Sequence, residues 1–160
     1  MKKLDSSSWP YLAGVFDGEG TVYIGSVTNK NGTTVLHLQT KIANTDLRLM
    51  QWLVSNFGGH YSVSDSKKSR LNPKHKVQYT WYPSGKSNRK KFFEGILPYL
   101  VIKKEQVLVG LEFDSFYERN GCKPGFKLFS DSPLFKENLK KRLELRDQLI
   151  KLNHRGKDIV

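Results

Sequence analysis

The chain has 160 residues, of which 38% are hydrophobic and 12% aromatic, and this composition is typical of a globular protein rather than a disordered one. Its formal net charge of +12 favours a polyanionic partner, with nucleic acid as the leading class. No stretch is long and apolar enough to cross a bilayer, so no membrane partner is expected. One cysteine, Cys122, excludes an internal disulfide framework and, with four scattered histidines, gives no zinc-ligand spacing. These features predict an intracellular protein, in the cytoplasm of a prokaryote or the interior of an organelle.

The positive charge is unevenly distributed along the chain. From His60 to Lys91 there are nine lysines or arginines and one acid, Asp65, which gives this segment a net charge of +8. Such a basic segment favours contact with nucleic acid, but charge alone leaves open a lysine-rich surface that is merely solvated.

The first predicted element is a helix over residues 9–17. Ser8 is a suitable N-cap, Pro10 is tolerated in a first turn, and Gly18 and Gly20 are stop signals. Helical spacing places an apolar stripe on one face of this helix, formed by Trp9, Leu12, Ala13 and Phe16.

A β-hairpin follows, with strands predicted at residues 21–27 and 34–42. Asn31-Gly32 is a turn signal between two alternating segments. Alternation places Val22 and Ile24 on an apolar face with Leu36, and it leaves a polar, basic and aromatic face on the other side.

The pattern then repeats with a second helix that ends at Gly58-Gly59, and with strands near residues 60–65 and 77–82. A short helix capped by Ser87 or Asn88 and interrupted by Pro98, a helix over residues 105–119 and a last helix opening at Ser132-Pro133 complete the chain. The order αββαββα with an extra C-terminal helix predicts an α+β fold, in which helices cover one face of an antiparallel sheet. We expect one domain over residues 1–160.

The segment LAGVFDGEG, residues 12–20, breaks a local rule. It places two carboxylates, Asp17 and Glu19, at a helix C-terminus, where each is disfavoured by about 0.3–1 kcal/mol. Such exceptions are expected mainly at functional or strained sites. The nine residues resemble the signature of the LAGLIDADG homing endonucleases, and the segment LPYLVIKKEQ, residues 97–106, resembles the basic segment that follows the second hairpin in that family.

This resemblance implies a saddle-shaped sheet on double-stranded DNA and a metal-dependent, site-specific endonuclease encoded by an intron or a similar mobile element. The chain holds one copy of the signature. Because cutting both strands needs two active sites, the resemblance implies a homodimer on a long, pseudo-palindromic target.

The resemblance also assigns the candidate catalytic residues. Glu19 is the expected metal ligand, assisted by the carbonyl of Gly18, and the expected ion is Mg²⁺ or Mn²⁺, with Ca²⁺ binding without supporting cleavage. Asn44 is placed near the attacking water, with simple helix capping as its structural alternative. Arg48 is placed at the scissile phosphate, and Lys103, or Lys104 if the register differs by one, is placed to stabilise developing charge.

The helix that carries the signature is the expected dimer contact. Its small residues, Ala13 and Gly14, would let two helix backbones approach closely. The alternative is that Ala13 and Gly14 simply pack on the sheet of their own chain. Asp17 is expected to orient the helix end or to contact the second copy. The predicted interface consists of Leu12, Ala13, Gly14, Phe16 and Asp17.

A two-stranded ribbon fits the major groove of DNA, so the polar face of each hairpin is the candidate reading surface. In the first hairpin the candidates are Thr21, Tyr23, Asn29, Lys30, His37, Gln39 and Lys41. In the second they are Lys67, Lys68, Arg70, Lys76 and Gln78. Trp81 and Tyr82 are expected in the core or at the sheet edge.

Two other classes of function compete with the nuclease. A non-catalytic protein on the same scaffold, either an RNA maturase or a DNA-binding regulator, would be expected to lack the signature acids. A basic structural protein of the ribosomal type would need neither those acids nor small residues on a helix face. The sequence retains both Asp17 and Glu19, which favours the nuclease.

Overall fold

A computed structural model describes residues 8–28, 30, 34–64, 76–119 and 133–154. In chain order the elements are α1 (Ser8–Glu19), β1 (Gly20–Thr28), β2 (Thr34–Asn44), α2 (Leu47–Phe57), β3 (His60–Ser64), β4 (Gln78–Tyr82), α3 (Gly85–Ile96), a 3₁₀ turn (Leu97–Tyr99), α4 (Lys104–Arg119) and α5 (Pro133–His154). The predicted α+β order with an additional C-terminal helix is confirmed.

The four strands form one sheet in the order β1-β2-β4-β3. Strand β4 pairs antiparallel with both neighbours, so that Trp81 lies opposite Ile42 on β2 and opposite Tyr61 on β3. In β2 the even-numbered residues from Leu36 to Ile42 are buried, whereas the odd-numbered side chains between them are half-exposed. This alternation confirms that one face of the sheet is apolar and the other polar.

The chain separates into two compact units, each made of separated segments. The first contains residues 8–21 and 40–103 among those described, and the second contains residues 22–39 and 104–154 with the gaps given above. The single domain predicted from the sequence remains a prediction.

The core of the first unit is built around aromatic rings. Phe16 of α1 packs edge-on against Phe92 and Phe93 of α3, with ring centroids 5.4 and 6.5 Å apart. Trp81 packs against Phe92 at 5.3 Å and donates its indole N–H to the carbonyl of Gly58 at 2.8 Å. A buried indole needs such an acceptor, so Trp81 is fixed in both position and orientation.

The second unit buries apolar side chains from β1 and β2 and from α4 and α5. Two polar side chains of α5 reach strand carbonyls, because Arg142 donates to Leu36 O at 2.5 Å and Asn153 donates to Val22 O at 3.0 Å. The Arg142 guanidinium also lies 4.9 Å from the centroid of the Phe113 ring. These contacts attach α5 to the strands by polar as well as apolar interactions.

Two predicted helix boundaries differ from the structure. Helix α1 does not stop at Gly18 but continues to Glu19, and the first strand begins at once with Gly20. Helix α3 begins earlier than predicted, with Ser84 as its N-cap in place of Ser87 or Asn88. The physical reason is that Gly85, with φ of 74°, lets the chain turn into the helix immediately after β4.

Gly20 is required by a close approach of Phe16. A Cβ atom there would lie 2.3 Å from a ring carbon of Phe16 and 2.5 Å from its carbonyl oxygen. The glycine thus allows α1 to pass directly into β1. Among the described helices, none is long and apolar enough to cross a membrane.

Candidate active site

The C-terminal turn of α1 places two acids beside one lysine. The Glu19 side chain is exposed, whereas Asp17 and Lys103 are half-buried. The Lys103 ammonium donates to the carbonyl oxygens of Asp17 at 2.5 Å and Phe16 at 3.1 Å. These carbonyls belong to the last turn of the helix, which lacks backbone partners and carries partial negative charge, so the ammonium caps the helix end.

Asp17 has a different environment from Glu19. Its Oδ2 accepts the backbone N–H of Val101 at 2.8 Å, and its Oδ1 accepts the backbone N–H of Lys103 at 2.9 Å. Glu19 makes no hydrogen bond or ion pair with any residue that the structure describes. The two acids of the signature are therefore separated by role: the first is engaged by the protein, and the second is left available.

Lys103 is the titratable group that this site perturbs. Burial lowers the pKa of its ammonium, while the nearby charges of Asp17 and Glu19 act in the opposite direction. The neighbouring Lys104 is exposed. The geometry therefore favours Lys103 over Lys104 as the lysine of this site.

The carboxylates of the described part of one chain do not by themselves enclose a metal ion. No group of three or more Asp, Glu, His or Cys side chains is clustered among those residues. Mg²⁺ commonly takes only one or two carboxylates and completes its shell with phosphate oxygens and water. An exposed carboxylate with no hydrogen-bond partner in the described part of the chain, next to the carbonyl end of a helix, is chemically suited to that type of site.

The structure does not bring Arg48 to the acids. Its guanidinium binds Asp46 through contacts of 2.6 to 3.1 Å, which raise the pKa of Arg48 and lower that of Asp46 to about 2. Arg48 lines a cleft with Ser8 and Tyr11, at the beginning of α1. Tyr11 precedes Glu19 by eight residues, which is about 12 Å along an α-helix.

Asn44 has a structural role in the turn before α2. Its Oδ1 accepts the backbone N–H of Asp46 at 2.9 Å, and Asp46 is the N-cap that accepts the N–H of Arg48. The strand register places Asn44 opposite Tyr79, on the same face as the buried Ile42. The N-cap of α2 is therefore Asp46 and not Asn44, and Asn44 instead orders the turn that precedes the cap. The catalytic role expected for Asn44 stays a prediction.

The apolar residues proposed for the dimer contact lie inside the protomer. Leu12, Ala13 and Phe16 are fully buried in its own core. Within one chain these three side chains have no exposed area, so the structure gives them a role in the core of the protomer, and their part in a dimer contact stays a prediction. Gly14 lies on the opposite, exposed side of α1, and a Cβ atom built there meets nothing within 4 Å.

In the first hairpin, two of the predicted DNA-contacting residues contact each other. The Tyr23 hydroxyl donates to Gln39 Oε1. The His37 ring lies over Gly25, where a Cβ atom would approach its ring atoms to 2.6 Å. The side chains of Thr21 and Lys41 are half-buried, Lys30 is exposed, and Asn29 lies outside the described residues.

In the second hairpin, the described candidates are Gln78 and Lys76, and both are exposed. The register places Gln78 opposite Ser64, on the face that includes Thr80 and Ala43, which is the face away from the buried Trp81. His60 stacks on Tyr82 at the far end of this hairpin, with ring centroids 5.5 Å apart. Lys67, Lys68 and Arg70 lie outside the described residues.

Comparison with known proteins gives no match to a protein-family model and none to a curated protein. Solved structures do match. The archaeal intron-encoded homing endonuclease I-Vdi141I, complexed with DNA, aligns with a TM-score of 0.70 and 15% identity over 94% of this chain and 86% of its own. I-CvuI, bound to the I-CreI target with Mg present and the DNA not cleaved, aligns with a TM-score of 0.67 and 17% identity over 96% and 86%. I-TnaI aligns with a TM-score of 0.63 and 21% identity over 99% of both chains. The chain has the LAGLIDADG homing endonuclease fold.

Within this LAGLIDADG fold, the sequence did not predict the engagement of Asp17 by Val101 and Lys103. The partners are 84 and 86 residues away in the chain, and no local pattern signals such a contact. It also did not predict that Val101 and Ile102 are 85% and 69% exposed, since apolar residues beside a buried Leu100 suggest core packing. The LAGLIDADG helix α1 is thus in contact with a segment whose own side chains are largely unburied.

Proposed function

We propose that the protein is a site-specific double-strand DNA endonuclease that hydrolyses phosphodiester bonds with the help of a divalent cation. The observation that carries this proposal is the Glu19 carboxylate. It is exposed, it makes no hydrogen bond or ion pair with the described residues, and it lies near the Lys103 ammonium. A fold shared with endonucleases solved on DNA, in the presence of Mg or Ca, supports a nucleic-acid substrate.

Glu19 is the residue that would hold the cation, with the carbonyl of Gly18 as a second possible donor. Bound there, Mg²⁺ or Mn²⁺ would polarise a phosphate oxygen and help to generate hydroxide from water. The Lys103 ammonium lies near enough to Glu19 for their charges to interact, so it adds positive potential where negative charge develops on phosphate. Asp17, whose two oxygens already accept backbone N–H groups, is assigned no cation.

DNA would lie on the polar faces of the two hairpins. Gln39, His37 and Lys41 project from the polar face of β2, and Gln78 projects from that of β4. Glutamine and lysine can read base edges by hydrogen bonds, whereas the remaining basic residues would contact phosphate. With a net charge of +12, the chain also has the electrostatic attraction that non-specific binding requires.

The active form in this proposal is a homodimer joined through the exposed side of α1. Gly14 and Gly18 expose only backbone at two successive turns of that side, and no described atom lies within 4 Å of a Cβ atom built at either position. Val101 and Ile102 are exposed on the segment that Asp17 holds at the end of the same helix. Exposed apolar residues of this kind beside a bare helix face suit a second copy.

The test compares Glu19→Gln with Glu94→Gln, which removes an equivalent charge from an exposed position on α3. Target sites are first selected from a randomised DNA library, and binding and single-turnover cleavage are then measured with Mg²⁺ and with EDTA. Glu19→Gln should reduce cleavage by at least about 100-fold. Its DNA binding should be retained or tightened, and Glu94→Gln should cleave like the parent protein.

Cleavage at the parent rate by Glu19→Gln would exclude the assigned role of Glu19. Sequence-specific binding without any Mg²⁺-dependent cleavage by the parent protein would instead indicate the non-catalytic alternative, a regulator or maturase on the same scaffold.

A further inference from the structure

Asp17 and Lys103 bind each other through two reciprocal sets of contacts. The Asp17 carboxylate accepts the backbone N–H of Lys103, and the Lys103 side chain donates to the backbone carbonyl of Asp17. The second carboxylate oxygen accepts the N–H of Val101. Charge-assisted hydrogen bonds of this length are about twice as strong as neutral ones, and two parallel bonds also fix an orientation.

The segment that Asp17 holds has little other support. Leu100 is buried, but Val101 and Ile102, the next two residues, are 85% and 69% exposed. Apolar packing therefore does not determine the path of the backbone from Val101 to Lys103. Between the 3₁₀ turn and the start of α4, the hydrogen bonds that the described residues make to this backbone are the two from Val101 and Lys103 to the Asp17 carboxylate. They set the point from which the Lys103 side chain leaves the backbone.

We propose that Asp17 is a positioning residue for Lys103: by holding the backbone of Val101 and Lys103, its carboxylate places the Lys103 ammonium at the carbonyl end of α1, beside Glu19. The catalytic consequence rests on the function proposed above, whereas the geometric claim does not depend on it. In this arrangement Asp17, the first acid of the signature, positions the lysine, and Glu19, the second acid, would bind the cation.

This proposal differs from two other roles for Asp17. A second cation ligand would change the Mg²⁺ concentration needed for cleavage. A dimer contact would change the association of the two copies. A positioning residue should lower the cleavage rate at saturating DNA while leaving the DNA dissociation constant, the Mg²⁺ requirement and the dimer unchanged.

The first test uses Asp17→Asn, which keeps the size of the side chain. An amide has one acceptor oxygen, and its NH₂ group would face a backbone N–H donor, so at least one of the two bonds is lost. The readout that does not require activity is brief acetylation of the folded protein with acetic anhydride, followed by peptide mass spectrometry. Labelling of Lys103 relative to the exposed Lys104 should rise several-fold, and the single-turnover rate should fall.

A second variant covers the case in which Asp17→Asn does not fold. Val101→Pro removes the N–H that binds Asp17 Oδ2 and leaves the carboxylate intact. The preceding residue, Leu100, has φ of −74° and ψ of 138°, which is the region that a residue before proline prefers. Val101→Ala is the matched control, because it shortens the same exposed side chain and keeps the N–H.

Increased labelling of Lys103 in Val101→Pro, but not in Val101→Ala, would support the proposal. Unchanged labelling of Lys103 in folded Asp17→Asn or folded Val101→Pro would overturn it. Failure of both variants to fold, with Val101→Ala folded, would also overturn it in favour of a purely structural role. If the parent protein cleaves no DNA, the proposed function fails, but the labelling result still decides the position of Lys103.

Discussion

Replacement of Gly14 by leucine separates the stability of the protomer from that of the proposed dimer. Gly14 lies within α1 on its exposed side, and no described atom is within 4 Å of a Cβ atom built there. The added Cβ atom therefore meets no described residue of the same chain. A weaker association of two copies in this variant would point to α1 as the surface that a second copy covers.

Gly14→Leu should stabilise the isolated protomer but destabilise the proposed dimer. Glycine in a helix interior is about 0.8–1.0 kcal/mol less favourable than alanine, and leucine is almost as favourable as alanine. The isolated protomer should therefore gain up to about 1 kcal/mol, which corresponds to a rise in melting temperature of about 2–4 °C for a chain of this length. Overpacking a close helix contact costs about 1–3 kcal/mol. A loss of 3 kcal/mol would weaken the dimer roughly 100-fold.

The assay is sedimentation equilibrium over a range of protein concentrations, combined with thermal unfolding at the lowest concentration. Gln148→Leu, an exposed position on α5, controls for a general effect of an added apolar side chain. Gly14→Leu should dissociate at concentrations where the parent protein and the control remain dimeric. A parent protein that is monomeric both free and on its target, or a Gly14→Leu variant that dimerises as tightly as the parent, would refute the reasoning.

Three further outcomes are expected. At concentrations where the protomer is monomeric, Gly20→Ala should lower the free energy of unfolding by about 1–3 kcal/mol, because its Cβ atom meets the backbone and ring of Phe16. Gly18→Ala, whose Cβ atom meets no described atom of the same chain, should not lower it under those conditions. Equal melting temperatures of the two variants would contradict this. The pKa of Asp46 is lowered from 3.8 to about 2, so its charge stabilises the fold above pH 3.8 and loses this effect as the pH falls towards 2. Asp46→Asn keeps an N-cap but should flatten that pH dependence. If the urea midpoints of the variant and the parent protein changed identically with pH, the pair of Asp46 with Arg48 would have no such effect. Gln39→Ala should change base preference at two symmetry-related target positions in a library selection. Lys30→Gln should instead weaken binding to all targets alike and reduce by about 1 the slope of log affinity against log salt concentration. If Gln39→Ala lost affinity equally for all targets, Gln39 would not belong to the reading surface.

The parts of the fold that depend on local periodicity could be predicted from the sequence. The buried face of β2 and the apolar stripe of α1 follow from side-chain direction, which has a period of 2 in strands and 3.6 in helices. The same pattern could not show whether Leu12 and Phe16 face the protomer's own core or a second copy, since both surfaces require apolar side chains. The structure assigns them to the core.

The parts of the site that depend on contacts distant in sequence could not be predicted. Gly18 indicated a helix end, but the Lys103 ammonium supplies the partner for the preceding carbonyls and the helix continues to Glu19. Likewise, the cost of placing Asp17 at a helix C-terminus is offset by two backbone N–H groups from residues 101 and 103. Helix propensities and capping preferences describe each residue without these distant partners. They therefore could not predict where α1 ends or how Asp17 is stabilised.

The direct junction between α1 and β1 restricts how the chain can change in length. Glu19 is the last residue of the helix and Gly20 is the first residue of the strand. An inserted residue would have to be absorbed either by the helix, where it would turn Glu19 by about 100° around the axis, or by the strand, where it would move every following side chain to the opposite face. A loop would tolerate such an insertion, but this junction has none. We therefore expect the spacing from the acid to the strand to be invariant among working relatives of this protein, even where almost every side chain of the hairpin has been exchanged.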